Sequence, residues 1–249
     1  MTALLDQVAL VTGASSGIGA ATARRLAREG AAVARAARRT DRLLAHKDEV
    51  EAEGGQALVI ETDVTDRPQC ERMVARTLDA FGRLDVLMNN AGVMPLSLVK
   101  NVRVEEWERM VAVNVNGVLY GTAAALPAMM VQRRGHIVNV SSNAGRRVFV
   151  GGAVYCATKF AVTAFSEGLR MELGPEFGIR VTCIEPGAVA TELPHAIADE
   201  EFKRRTAGDF DGVTPLESED VAEAILHALT APPRATVHEV LVMPTTQRV

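Results

Sequence analysis

Short runs of apolar, often β-branched residues alternate along the chain with longer stretches whose apolar positions recur every three or four residues. The short runs predict strands at Val8–Thr12, Ala31–Ala36, Ala57–Glu61, Val86–Asn89, His136–Val140, Arg180–Ile184 and Val240–Val242. The longer stretches predict helices at Gly17–Glu29, Arg39–Glu53, Pro68–Phe81, Val104–Arg133, Tyr155–Leu173 and Ser218–Leu229. Val8-Ala9-Leu10-Val11 and Ile137-Val138 are apolar without alternation, as suits strands covered on both faces. Such strand–helix alternation implies an α/β fold: a single doubly wound parallel sheet of about seven strands, with helices on both faces and right-handed crossovers. No linker, low-complexity tract or repeat divides the 249 residues, so residues 1–249 are expected to form one domain. The exception to tight alternation is residues 188–214, where Pro194, charges and isolated aromatics follow Pro186-Gly187. This stretch is expected to be an insertion over the carboxyl edge of the sheet, where open α/β folds bind ligands.

Composition narrows the class. Hydrophobic residues at 48% and charged residues at 23% match ordinary globular domains, and no segment nears the roughly 20 uninterrupted apolar residues of a membrane helix. Met1–Gln7 lacks the basic-then-apolar order of a secretion signal, so a cytoplasmic protein without a membrane partner is expected. A net charge of −4 argues against nucleic acid as a partner, although Arg24, Arg25, Arg28, Arg35, Arg38, Arg39 and Arg42 make one segment basic enough to sit beside an anion. Cys70, Cys156 and Cys183 form no CxxC pair, and His46, His136, His195, His227 and His238 show no ligand spacing, so no metal site is expected.

Directly after the first strand runs Thr12-Gly13-Ala14-Ser15-Ser16-Gly17-Ile18-Gly19, and a helix pattern begins within it. Gly13 permits a sharp turn, Gly17 lets the backbone approach a pyrophosphate, and Gly19 allows close helix–strand packing. The helix start offers free N–H groups and the positive end of its dipole. Ser15, Ser16 and Ile18 lie in the same loop and are assigned with the glycines to cofactor binding. An NAD-preferring fold places a carboxylate at the end of its second strand; here that end reads Ala36-Ala37-Arg38-Arg39. Two guanidiniums and no acid favour the 2′-phosphate of NADP(H). The other reading of Arg38 and Arg39 is that they solvate the start of the next helix. Arg35 falls where the strand pattern calls for an apolar residue, and an edge or crevice position is the only reading the sequence offers for it.

Tyr155 and Lys159 are four apart, hence on one face of a helix. A phenol is a weak base at neutral pH, and an adjacent ammonium favours its ionised form; Lys159 is therefore expected to lower the Tyr155 pKa. Ser142 follows the strand ending at Val140, at the carboxyl edge, where its hydroxyl could hold a substrate oxygen while Tyr155 moves a proton.

Combined with the glycine loop, this set resembles the short-chain dehydrogenase/reductase family over nearly the whole chain, from Val8 to about Val242. The family's TGxxxGxG element matches Thr12–Gly19, and its acidic residue beside the adenine matches Asp63, followed by Val64. Its NNAG element matches Asn89-Asn90-Ala91-Gly92, and its PG turn matches Pro186-Gly187. The family's active-site Asn, Ser, Tyr and Lys fall on Asn114, Ser142, Tyr155 and Lys159. The resemblance implies a Rossmann fold and hydride transfer between NADP(H) and an aldehyde, ketone or secondary alcohol. It also implies roles. Ser142 polarises the carbonyl, Tyr155 donates or accepts the proton, Lys159 binds the nicotinamide ribose and tunes the phenol, and Asn114 holds a relay water. Asn90, Ala91, Gly92, Pro186, Gly187, Val189 and Thr191 would line the cofactor, and Arg38 would take the 2′-phosphate. Ser16 stands where many NADP-preferring relatives carry a basic residue. The tail Thr230–Val240 is similar to a subgroup of clavulanate-type aldehyde reductases and 3-hydroxy-acid dehydrogenases.

Met94, Phe149 and Val150, with Leu193, His195, Phe202 and Phe210 from the insertion, are candidate pocket residues suited to an apolar or amphiphilic carbonyl substrate, or else core and lid packing. Arg146 and Arg147 could attract a carboxylate or simply lie at the surface. The Ala-, Val- and Leu-rich helices Val104–Arg133 and Tyr155–Leu173 are expected to bury one face against another copy, giving a homodimer or homotetramer. Two other readings stay open: a protein that senses NADP(H) without turnover, and a family member performing another reaction such as epimerisation.

Overall fold

The computed structural model describes residues 3–209 and 211–247. Seven parallel strands form one sheet: β1 (Val8–Thr12), β2 (Ala32–Ala37), β3 (Gln56–Glu61), β4 (Val86–Asn89), β5 (Gly135–Val140), β6 (Ile179–Pro186) and β7 (Glu239–Val242), in the spatial order β3-β2-β1-β4-β5-β6-β7. The chain winds outward from β1 in one direction, then returns to add β4 on its other side. Strand order therefore reverses between β1 and β4, and a crevice opens there beyond the carboxyl ends of the strands.

Each face of the sheet is covered by helices. Ala9, Val11, Val33 and Val138 pack against α1 (Gly17–Arg28), α2 (Thr40–Ala52) and α8 (Ser218–Leu229). Leu10, Leu87, Ile137 and Val181 pack against α3 (Arg67–Phe81), α5 (Gly117–Gln132) and α6 (Ala153–Phe177). Leu10 and its neighbours Ala9 and Val11 thus face opposite layers, as the two-residue period of a strand requires. Leu10, Leu87 and Ile137 are fully buried, and truncating any one to Ala would cost about 2–5 kcal/mol.

The long helix expected at Val104–Arg133 is broken. It runs as α4 (Val104–Val111), a π-turn at Ala112–Asn116 and then α5. Taken as one run, Val104–Gln132 spans 29 residues and holds an 18-residue stretch of mean hydropathy 1.2, long and apolar enough to cross a membrane by length and composition, although Asn114, Asn116, Thr122 and Pro127 interrupt it. Here α5 packs instead against α3, β4 and β5. The 188–214 insertion is present. Val189 pairs with Leu216 at its base, and it carries a short turn at Leu193–Ala196 and α7 (Glu200–Arg205).

Candidate active site

The glycine loop between β1 and α1 is held by the segment after β4. Asn90 donates from its side-chain amide to the Thr12 carbonyl at 2.9 Å and the Gly13 carbonyl at 3.3 Å, while the Asn90 and Ala91 N–H groups donate to Thr12 Oγ1 at 3.0 and 3.2 Å. Gly13 has φ +65°, and a Cβ there would lie 2.8 Å from Asn90 Nδ2 and 2.9 Å from Ala91 Cα; at Gly19 it would lie 2.5 Å from Asn90 Nδ2 and from the Gly13 carbonyl oxygen. These glycines make room for backbone against backbone, as their spacing predicts. Gly17, at φ +54°, lies under Thr191, whose Cγ2 would be 3.1 Å from a Cβ at that position. The base of the insertion is thereby set over the N-terminus of α1.

Beneath the loop lies Arg35. It is fully buried on β2 rather than at an edge or in a crevice, and its Nη2 donates to the Ala14 carbonyl at 3.1 Å while Nε and Nη1 have no partner. Burial pulls its guanidinium down to about 10. At the end of β2, Arg38 is exposed and makes no ion pair among the described residues. Arg39 turns back onto the loop: its Nη2 donates to Ser15 Oγ at 3.1 Å and Ser16 Oγ at 2.7 Å, and its Nε to Ser15 Oγ at 3.2 Å. Asp63 is half-buried after β3 and accepts from the Thr65 N–H and hydroxyl, and Val64 packs on Gly117, where a Cβ would come within 2.8 Å of Val64 Cγ2. β6 continues through Pro186, and the Gly187 N–H donates to the Val242 carbonyl at 2.8 Å.

Across the crevice, Tyr155 and Lys159 occupy one face of α6, both nearly inaccessible, with Lys159 Nζ 5.7 Å from the centre of the Tyr155 ring and 3.0 Å from the Val140 carbonyl to which it donates. Ser142 extends β5 and caps the turn Asn143–Gly145 by accepting from the Ala144 N–H at 3.1 Å, which fixes its hydroxyl at the strand end. Burial pushes the Tyr155 phenol up to about 12, with the neighbouring Ser142 hydroxyl working the other way. The expected lowering by Lys159 is not found: burial sets the direction for the phenol, and the same burial pushes the ammonium down to about 8.

Asn114 is buried inside the π-turn, and both N–H groups of its side-chain amide are used. Oδ1 accepts from the Val93 N–H at 2.8 Å, and Nδ2 donates to the Val93 carbonyl at 2.9 Å and Thr158 Oγ1 at 3.2 Å. Gly92 lies against both groups: a Cβ there would stand 3.5 Å from Asn114 Oδ1 and 3.9 Å from Lys159 Nζ. The structure thus gathers Gly92, Asn114, Ser142, Tyr155 and Lys159 around one point at the rim of β4 and β5.

The proposed pocket lining divides. Phe149 and Val150 are exposed, Met94 and Leu193 half-buried, and His195 faces solvent; Phe210 lies outside the described residues. Phe202 is a core residue, packed with Tyr155, Leu96 and Met110. Arg146 is committed to Glu185 and Glu239 rather than to a ligand. Sequence reading missed Asp199. This buried carboxylate caps α7, and it accepts from Ser97 Oγ at 2.6 Å, Asn101 Nδ2 at 2.7 Å and the Leu98 N–H at 3.2 Å, tying the insertion to the segment before α4. Its position just before Glu200-Glu201 was a legible capping signal.

The family model for short chain dehydrogenases matches residues 7–201. The chain belongs to the short-chain dehydrogenase family. A glycine betaine reductase of Emericella nidulans is 44% identical over 97% of the chain, but the chain spans only 19% of that larger protein. An uncharacterized oxidoreductase of Staphylococcus saprophyticus is 41% identical over 97% of both chains. Among solved structures, the closed form of a serine dehydrogenase complexed with NADP+ superposes with a TM-score of 0.89 at 35% identity, covering 98% of this short-chain dehydrogenase and 97% of that chain.

Proposed function

We propose that this short-chain dehydrogenase moves a hydride between NADP(H) and an aldehyde, ketone or secondary alcohol, with Tyr155 as proton donor or acceptor. The observation that carries this reading is the burial of Tyr155 and Lys159 on one helical turn, with the ammonium 5.7 Å from the centre of the phenol ring and Ser142 buried at the adjoining strand end.

The residues fit a dinucleotide phosphate. The N-terminus of α1 at Gly17 borders an open groove lined by Ser15, Ser16 and Thr191, where its N–H groups can meet a pyrophosphate. Arg38, Arg39, Ser15 and Ser16 offer donors to a 2′-phosphate, and the relative complexed with NADP+ supports the same choice. Asp63, Val64, Asn90, Ala91 and Gly92 would border the adenosine side, and Pro186, Gly187, Val189 and Thr191 the nicotinamide side. When bound, the cofactor supplies the hydride or accepts it.

The remaining chemistry belongs to the chain. A phenol held near 12 is protonated at neutral pH, so in the reducing direction Tyr155 donates to the developing alkoxide while the Ser142 hydroxyl holds the same oxygen. The Lys159 ammonium stabilises the resulting phenolate. Both N–H groups of the Asn114 amide are taken by Val93 and Thr158, so a relay water would use the second lone pair of its Oδ1. The test is NADPH consumption over a panel of aldehydes and ketones. Turnover that Tyr155→Phe nearly abolishes without loss of NADPH binding is the expected result. NADPH binding without turnover across the panel would instead favour a sensor.

We further read the chain as a cytoplasmic homodimer or homotetramer. Val111, Leu119 and Val131 on the α4–α5 run, with Phe160 and Met171 on α6, leave large apolar groups exposed. Light scattering that gives a monomer mass at micromolar concentration would overturn the assembly.

A further inference from the structure

Glu192 stands next to Thr191 in the insertion, 150 residues or more from the arginines that it binds. Its two carboxylate oxygens are divided between two cations: Oε2 lies 2.7 Å from Arg39 Nη1, and Oε1 lies 2.6 Å from Arg42 Nη1. Arg39 is the same guanidinium whose other edge is held by Ser15 and Ser16 of the glycine loop. Its donors are thus aligned by the loop on one side and occupied by an anion on the other. A guanidinium fork binds carboxylates and phosphates with the same paired N–H geometry.

We propose that Glu192 is an internal stand-in for the 2′-phosphate of the cofactor, and so a determinant of how strongly the enzyme prefers NADPH over NADH. This rests on the NADP(H) reading above and names a residue which that reading leaves out. NADPH reaches Arg39 only in competition with the Glu192 carboxylate. NADH carries no 2′-phosphate and meets no such competitor. Glu192 therefore lowers the apparent affinity for NADPH without touching that for NADH.

The pairing also links the phosphate site to the insertion. Thr191 lies directly over Gly17, so a shift of Glu192 off Arg39 is felt beside the pyrophosphate position. The other anchors of the insertion do not involve the arginines: Val189 pairs with Leu216 at the base, and Asp199 accepts from Ser97 and Asn101 at the far side. Releasing Glu192 thus loosens the stretch between these two anchors and leaves both in place. Two further facts favour competition over a fixed structural tie. Arg39, Arg42 and Glu192 are each more than two-fifths exposed, so water and a ligand can reach the pair. Such pairs are weak enough to be exchanged for a phosphate. Arg42 and Glu192 also border a groove of about 670 Å³ that includes Ser15, Ser16, Gly17 and Thr191.

The test is fluorescence titration of NADPH and of NADH onto the wild type, Glu192→Gln and Glu219→Gln. Glu219 lines the same groove but pairs with Arg24, so its variant removes a charge without freeing Arg39. Tightening of NADPH by about fivefold in Glu192→Gln alone, with NADH within twofold of wild type, is expected. The gain should shrink as salt is raised from 50 to about 500 mM. Unchanged or weaker NADPH binding in Glu192→Gln overturns the proposal, as does an equal gain for NADH or an equal gain from Glu219→Gln. A wild type that binds neither nucleotide overturns the cofactor reading and this inference with it.

Discussion

The Lys159 ammonium lies 5.7 Å from the centre of the Tyr155 ring, and burial shifts the two groups in opposite directions, the phenol up to about 12 and the ammonium down to about 8. Between pH 6 and 10 the phenol stays protonated, so Lys159 is the group of this pair that titrates in the working range. Its ammonium is present below about pH 8 and lost above it. For carbonyl reduction, kcat/KM is therefore expected to be level below pH 8 and to fall about tenfold per unit above it. Lys159→Gln should cost about a hundredfold in kcat/KM and remove this limb. A wild-type profile flat from pH 7 to 10, or a limb that persists in the variant, would show that Lys159 is not the titrating group.

Arg38 is exposed and unpaired among the described residues, whereas Arg39 is already shared between Ser15, Ser16 and Glu192. Arg38 is thus the guanidinium with donors free for the 2′-phosphate. Arg38→Asp should weaken NADPH by about a hundredfold and NADH by no more than about threefold, since one charge-assisted contact is lost and a repulsion gained. Competition titrations of the two nucleotides measure the ratio. Equal weakening of both would place Arg38 outside the phosphate site.

The strand-and-helix pattern was legible because most strands are short apolar runs buried on both faces. β1, β4 and α8 begin and end where the periodicity puts them. The departures have physical causes. α6 continues past Gly174-Pro175 to Phe177, where a left-handed Gly178 ends it, because tertiary packing overrides a poor helix former near a terminus. The π-turn around Asn114 leaves no mark on hydrophobic spacing, since one extra residue in the ladder shifts the apolar stripe only slightly. Arg35 and Glu192 were opaque for another reason. A buried cation under a loop, and a carboxylate that finds two arginines far away in sequence, are defined only by tertiary neighbours.

His136 on β5 is buried and sits 2.7 Å from Thr182 Oγ1. Thr182 donates its one hydroxyl proton to the Val237 carbonyl, so the histidine must donate from Nε2, and its Nδ1 has no partner. Burial, aided by Arg180, lowers its pKa from 6.5 to about 3. The unfolded chain therefore takes a proton below pH 6.5 that the folded chain refuses. The stability tied to this group is complete above pH 6.5 and falls as the pH drops toward 3, by about 1.4 kcal/mol per unit and on the order of 5 kcal/mol in all. Urea midpoints measured from pH 7 to 4 should follow this slope, and His136→Gln, which retains a donor for Thr182, should flatten it. An equal acid slope in the variant would assign the loss to other groups.

Gly13 and Gly54 both have positive φ, +65° and +81°, but differ in what surrounds them. A methyl group at Gly54 meets nothing within 4 Å, so Gly54→Ala carries only the backbone cost of a left-handed alanine, about 1 kcal/mol. At Gly13 the same methyl lies 2.8 Å from Asn90 Nδ2 and 2.9 Å from Ala91 Cα, and Ala91 is main chain that cannot turn aside. Gly13→Ala must push the segment after β4 away from the glycine loop and strain the hydrogen bonds from Asn90 to Thr12 and Gly13. The expected cost is about 3 kcal/mol. With melting shifts of about 2–4 °C per kcal/mol for a chain of this size, the two variants should separate by at least about 4 °C. They should also separate in function: Gly54→Ala retains NADPH binding, while Gly13→Ala loses it because the pyrophosphate cradle and its support move together. If the two variants melt together and bind NADPH equally well, the close approach of Gly13 to Asn90 is not what shapes the loop.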